Sequence, residues 1–257
     1  MVMPLGNEET SQATSWATYL LIAANLICFG VEQVKPSSFL IAYSATPYEI
    51  THNIDLANPF TFRARPGILD RSSQPSGDPA VLVHQAQGPS PIWLTLASAM
   101  FLHANLIHLA GNMLFLWIFG QRVEEVFGRF VFLGFYLGSG LVGTLAQVAA
   151  DPNSLTPILG ASGAIAGVMG AYLIWFPSDR VRVLVFNSLF LVPASGVIGA
   201  WIVTQLVLGF FLPGAVAQSG RTAYLAHLGG VVVGIVAGLI LRLGKAAGRR
   251  DAIERVK

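Results

Sequence analysis

Six apolar runs, at about 15–34, 95–120, 130–150, 158–176, 188–212 and 222–243, divide this chain. Each is close to the roughly 20 residues that a helix needs to cross a hydrocarbon core about 30 Å thick. The breaks between runs contain Asp151-Pro152-Asn153, Pro177-Ser178-Asp179-Arg180 and Pro213-Gly214, where a helix has to stop. Composition agrees, since 54% of the residues are apolar and 11% are charged, whereas a soluble domain carries roughly a quarter charged residues. The expected fold is an all-α membrane protein of six transmembrane helices packed as one compact bundle over residues 15–243. Short tails at 1–14 and 244–257 flank it, and its first connection, 35–91, is long and Pro-rich, with apolar patches at Ser38 to Tyr43 and Ala80 to Val83. Those patches suggest a loop folded partly into the membrane interface.

Lys and Arg near the run ends set the expected orientation. Arg122, Arg129, Arg180 and Arg182 follow the second and fourth runs, and Arg242, Lys245, Arg249, Arg250, Arg255 and Lys257 follow the sixth. These are expected on the cytoplasmic side of a cell membrane, with both termini. The opposite side holds Arg221 and the basic residues of the first connection. Formal net charge is only +2 and no stretch interleaves basic with aromatic residues, so nucleic acid is not an expected partner. Cys28 is the only cysteine, which excludes an intrachain disulfide and a multi-thiolate metal site. No basic region precedes the first run, so it reads as a retained span rather than a cleaved signal.

Every acidic residue lies in a connection, a tail or at a run's end, as Glu32, Glu124, Asp151 and Asp179 do. An intramembrane aspartyl protease needs paired carboxylates within its spans, and a zinc protease needs His-Glu-x-x-His on a helix. Neither pattern is present. A proton-coupled transporter, which relays through buried carboxylates, is disfavoured for the same reason.

The runs do hold His and Asn, which are costly to bury without hydrogen bonds. His108 and Asn112 stand four apart and share a helix face, where they either glue helices together or converge on a ligand. The fourth run opens with small residues, including Gly160, Gly163, Gly167 and Gly170. This spacing lets another backbone approach closely. Ser162 sits where that helix starts, near free N–H groups that favour a developing oxyanion. In the sixth run His227 is followed by Gly230, Gly234 and Gly238. Packing one glycine stripe on the other would bring His227 to Ser162, the arrangement that activates a hydroxyl nucleophile. No acid is available as a third member, so control of the histidine tautomer would fall to a neutral partner. His103 and His84 read as neutral surface histidines.

Taken together, His108-x-x-x-Asn112, Val123-Glu124 with Gly128, Gly160-x-Ser162-Gly163 with Gly170, and Ala226-His227-x-x-Gly230-x-x-x-Gly234 resemble the rhomboid family of intramembrane serine proteases, over about 93–242. The resemblance implies peptide-bond hydrolysis with Ser162 as nucleophile and His227 as general base and acid. It further implies an oxyanion site from the Ser162 amide, Asn112 and His108. Gly160, Gly163, Gly167, Gly170, Gly230, Gly234 and Glu124 would be structural. No metal or cofactor is implied. Substrates would be single-span membrane proteins, met within the lipid bilayer and cut in or near the span, with water reaching Ser162 from the non-cytoplasmic side.

Two departures from better-known members stand out. The long connection lacks the Trp-Arg pair many relatives carry, and Ala166 stands where some have a tyrosine stacked on the histidine. The simple six-span form points to a prokaryotic inner membrane. Pro213-Gly214 and Gly220 are candidate hinges that would let the fifth span tilt as a gate. The main alternative is a non-catalytic rhomboid-like protein that binds and escorts membrane clients, although such relatives usually lack the serine or the histidine. A channel or transporter would show repeated half-sequences, and none is evident.

Overall fold

The structure is a computed structural model and describes residues 2–7, 14–57, 60–63, 80–83, 86–211 and 223–254. Strand β1 (Val2–Asn7) precedes helix α1 (Trp16–Val34), short helices α2 (Ser37–Ala42) and α3 (Pro47–His52), and hairpin strands β2 (Phe60–Arg63) and β3 (Ala80–Val83). A stepped segment follows, made of Ile92–Leu94, α4 (Thr95–Ser98) and Ala99–Phe101, and then the long helices α5 (Leu106–Phe127) and α6 (Arg129–Ala150). Next come α7 (Ser162–Trp175), strands β4 (Arg180–Val185) and β5 (Ser188–Pro193), and α8 (Ala194–Leu206), which runs into a π turn at Val207–Phe211. Helix α9 (Tyr224–Glu254) is last.

Apolar helices thus stand at each of the six places marked in the sequence. Three, namely α1, α6 and α9 as far as Ala247, are long and apolar enough to cross a membrane. The stepped segment and α5 make a fourth if the pair, bent by 76°, is one span, while α7 and α8 are shorter apolar helices. The bend has a local cause. Asn105 is extended at φ −165° and its side-chain oxygen accepts the His108 N–H at 2.9 Å, a cap that starts α5 there. The expected second run, 95–120, is therefore broken at Leu102 to Asn105.

Three further expectations change. The fifth run does not start as helix at 188. Exposed Arg180 and Arg182 alternate with buried Val181 and Val183, the period of a strand with one covered face. β4 and β5 pair antiparallel from Arg180↔Pro193 to Val185↔Ser188 around a turn at Phe186-Asn187, with Phe186 at φ +53°. β1 adds to the other edge of β4, so the expected tail at 1–14 contributes a strand. Helix α9 continues to Glu254, making most of the expected tail at 244–257 helical. Within the long connection, the two apolar patches coincide with α2 and β3. His84, Arg221 and the candidate hinges Pro213, Gly214 and Gly220 lie outside the described residues.

α7 forms the centre. Every residue from Gly163 to Tyr172 is buried, as expected of a helix that is apolar all round. α9, α6 and α5 pack around it. The glycine stripes meet backbone to backbone. A Cβ added at Gly230 would collide with the Gly163 carbonyl oxygen, one at Gly234 with that of Gly167, and one at Gly170 with that of Val231. Gly167 also leaves room for Ser139 of α6. The outer faces carry exposed Ile27, Ile107, Phe130, Ile240 and Leu243, whereas Asn25, Glu124, Ser139 and Gln205 are buried. Polar groups inside and apolar groups outside invert the soluble pattern and suit a lipid solvent.

Polar contacts tie one end of the bundle together. The Glu124 carboxylate accepts the backbone N–H groups of Ala17 at 2.9 Å and Thr18 at 2.8 Å and the Thr18 hydroxyl at 2.8 Å, capping α1 from α5. Lys245 donates to the Val126 carbonyl at 2.7 Å, and Arg122 pairs with Glu125 at 3.1 Å and Asp179 at 3.4 Å. Residues expected on one membrane side thus gather at one end, with Ser162 at the opposite end of α7. Replacing Gly234 by Ala inserts a methyl where two backbones touch, so thermal unfolding in detergent should show a loss of about 1–3 kcal/mol. Gly244→Ala, at a glycine with nothing within 4 Å of an added Cβ, should cost far less.

Candidate active site

Gly160 prepares the start of α7. Its φ of +118° lies in a region open to glycine, and its N–H donates to the Ala99 carbonyl at 2.8 Å. A Cβ there would lie 2.8 Å from the His108 ring, so glycine also lets that imidazole approach the turn before Ser162. Ser162 is the first residue of α7, where backbone N–H groups lack intrahelical acceptors.

The close contact between α7 and α9 carries His227 to this point. His227 Nε2 is 2.7 Å from Ser162 Oγ. Its Nδ1 is 2.7 Å from Gln205 Oε1 on α8. Both histidine and glutamine are buried. With Nδ1–H donating to the amide oxygen, Nε2 is free to accept the serine proton. The Trp201 ring lies 5.4 Å from the imidazole, tilted by 43°, beside the helix on which Ala166 lacks an aromatic.

Across the cavity stand His108 and Asn112, one turn apart on α5. The Asn112 amide nitrogen is 2.9 Å from His103 Nε2, and His103 Nδ1 faces the Phe101 carbonyl at 3.3 Å. The consistent pattern has Nδ1–H donating to the carbonyl and Nε2 accepting one Asn112 proton, which leaves the second amide proton for another acceptor. The backbone N–H of His103 in turn donates to the Glu32 carboxylate, at 3.2 and 3.3 Å from its two oxygens. His103 is 1% exposed, which corrects its reading as a surface histidine. The sequence signal was available, because His103 and Asn112 flank an N-cap that folds one back toward the other. Gln205 and Trp201 were also missed. Their signal was a lone amide in an apolar run with a tryptophan four residues earlier, hence on the same face.

A cavity of about 660 Å³ joins these groups, with Ser162, His227, His108, Asn112 and Trp201 in its wall. Its described lining contains no carboxylate. A hydroxyl against an imidazole nitrogen, in a cavity whose wall also holds an amide and a second imidazole, is chemically equipped for nucleophilic attack on a carbonyl.

Comparison with known proteins places the chain in a family. The Rhomboid domain model matches residues 91–244, and the chain belongs to the rhomboid family. It is therefore a membrane-embedded protein. The chain is 32% identical over 149 residues to Rhomboid protein 1, mitochondrial, of Saccharomyces cerevisiae, covering 56% of this chain and 41% of that one. It is 35% identical over 154 residues to Rhomboid protease GluP of Bacillus subtilis, covering 60% and 27%. With Rhomboid-like protein 11, chloroplastic, of Arabidopsis thaliana the identity is 32% over 150 residues, covering 57% and 51%. The matched region thus spans between about a quarter and half of these relatives. Since they include mitochondrial and chloroplastic proteins, family membership does not support the prokaryotic cell membrane expected from the sequence.

Removing the His103 ring takes from the buried Asn112 amide its observed partner. His103→Ala should lower stability by about 1–3 kcal/mol, read as a drop in thermal unfolding temperature in detergent, where a surface histidine would leave it unchanged.

Proposed function

We propose that this chain is an intramembrane serine endopeptidase, with six spans in 15–243 and both termini in the cytoplasm. What supports the reading above all is the 2.7 Å approach of Ser162 Oγ to His227 Nε2 at the wall of a cavity. Ser162 attacks the scissile carbonyl carbon as His227 takes the hydroxyl proton. The oxyanion that forms is met by the Ser162 N–H, by the Asn112 proton not held by His103, and by His108. His227 then returns its proton to the leaving amine, an acyl-enzyme remains, and water activated by the same imidazole releases the second product.

The substrates are single-span membrane proteins, cut in or near the span where the helix unwinds, because a hydrogen-bonded helix shields its carbonyls. Water reaches the site from the non-cytoplasmic side, where the few polar groups of the cavity wall offer it partners. Glu124 and the glycines of α7 and α9 hold the scaffold in this scheme.

A model single-span substrate in liposomes tests the reading. The wild type should cut it, while Ser162→Ala and His227→Ala fold and do not. Asn112→Ala, lacking one oxyanion donor, should turn over about 100- to 1000-fold more slowly. A folded wild type that binds the substrate without cutting it would instead make the chain a client-binding escort.

A further inference from the structure

Resting on the protease reading, we propose that Gln205 is the positioning residue of the Ser162–His227 pair, a neutral stand-in for the third member of a triad. Three observations converge on it. Its amide oxygen lies 2.7 Å from His227 Nδ1 in a buried contact. Its helix, α8, also supplies Trp201, whose ring lies 5.4 Å from the imidazole, so one helix face holds the ring by its edge and by its side. The described lining of the cavity contains no carboxylate, and His108 is the other titratable group of that wall besides His227.

A neutral imidazole has two tautomers, and only the one with its proton on Nδ1 offers a lone pair to the Ser162 hydroxyl. A carboxylate partner selects that tautomer and stabilises the imidazolium formed in the reaction. An amide oxygen performs the first task fully and the second by its dipole alone, without adding a charge to the apolar interior. Trp201 limits rotation of the ring about its side-chain bonds. The pair is therefore oriented by α8, through Gln205 and Trp201, rather than by an aromatic of α7, which has Ala166 one turn after Ser162.

The test compares wild type, Gln205→Met and Gln205→Glu in liposomes, reading kcat, KM and the pH profile of a single-span substrate, with a fluorophosphonate probe reporting the reactive serine. Met keeps the length and apolar bulk but offers no comparable acceptor. It should lower kcat about 10- to 100-fold, the effect of leaving a buried donor unpaired, with KM nearly unchanged. Glu keeps the acceptor and adds charge. It should restore turnover relative to Met and move the acid limb of the profile to higher pH, because a neighbouring carboxylate favours the imidazolium. A folded Gln205→Met with wild-type kcat overturns the proposal, as does a Glu variant as slow as Met with an unmoved acid limb. A folded wild type that neither cuts nor takes the probe overturns the protease reading itself, and is told apart because the variants are then not at issue.

Discussion

Backbone contact between α7 and α9 is the constraint on which the rest of the molecule depends. In an apolar solvent side-chain burial gives helices little reason to associate, so close packing of small residues and interhelical hydrogen bonds must hold them. Here Gly230 and Gly234 lie against the carbonyls of Gly163 and Gly167, and nothing larger than hydrogen fits between. That approach brings His227 within 2.7 Å of Ser162. A wider separation of the two axes, such as larger side chains impose, would carry the imidazole out of hydrogen-bond reach of the hydroxyl.

Polar groups then do inside the bundle what water does elsewhere. Glu124 caps α1, His103 holds Asn112, and Gln205 faces His227, each a buried group whose partner comes from another part of the chain. An unpaired polar group here would have neither solvent nor lipid to turn to. The chain thus buries polar side chains where they meet partners, at the candidate site and at the opposite end of the bundle, and gives apolar residues such as Ile107 and Phe130 to the outer surface.

Much of this was legible from residue type and spacing alone. The glycine stripes, the His108 and Asn112 face and the position of Ser162 depend on helical periodicity, which a sequence carries directly. Elements set by long-range pairing were hidden. β1 and β4 join residues near the N-terminus to residues near Arg180, and no local pattern announces such a partner. The alternation around Val181 and Val183 was visible but was masked by the apolar run that follows it. His103 was misread because its burial depends on a fold-back at Asn105, and Gln205 because an isolated amide says nothing about which ring it will meet.

The shortness of α7 has a geometric consequence. Its 14 residues make about 21 Å at 1.5 Å each, against a hydrocarbon layer of about 30 Å. If its Trp175 end lies level with one face of the layer, its Ser162 end stops short of the other by roughly 9 Å. The helix thereby acts as a ruler: under the proposed activity it sets the depth at which a passing chain meets the hydroxyl, and so which part of that chain's span is exposed to cleavage.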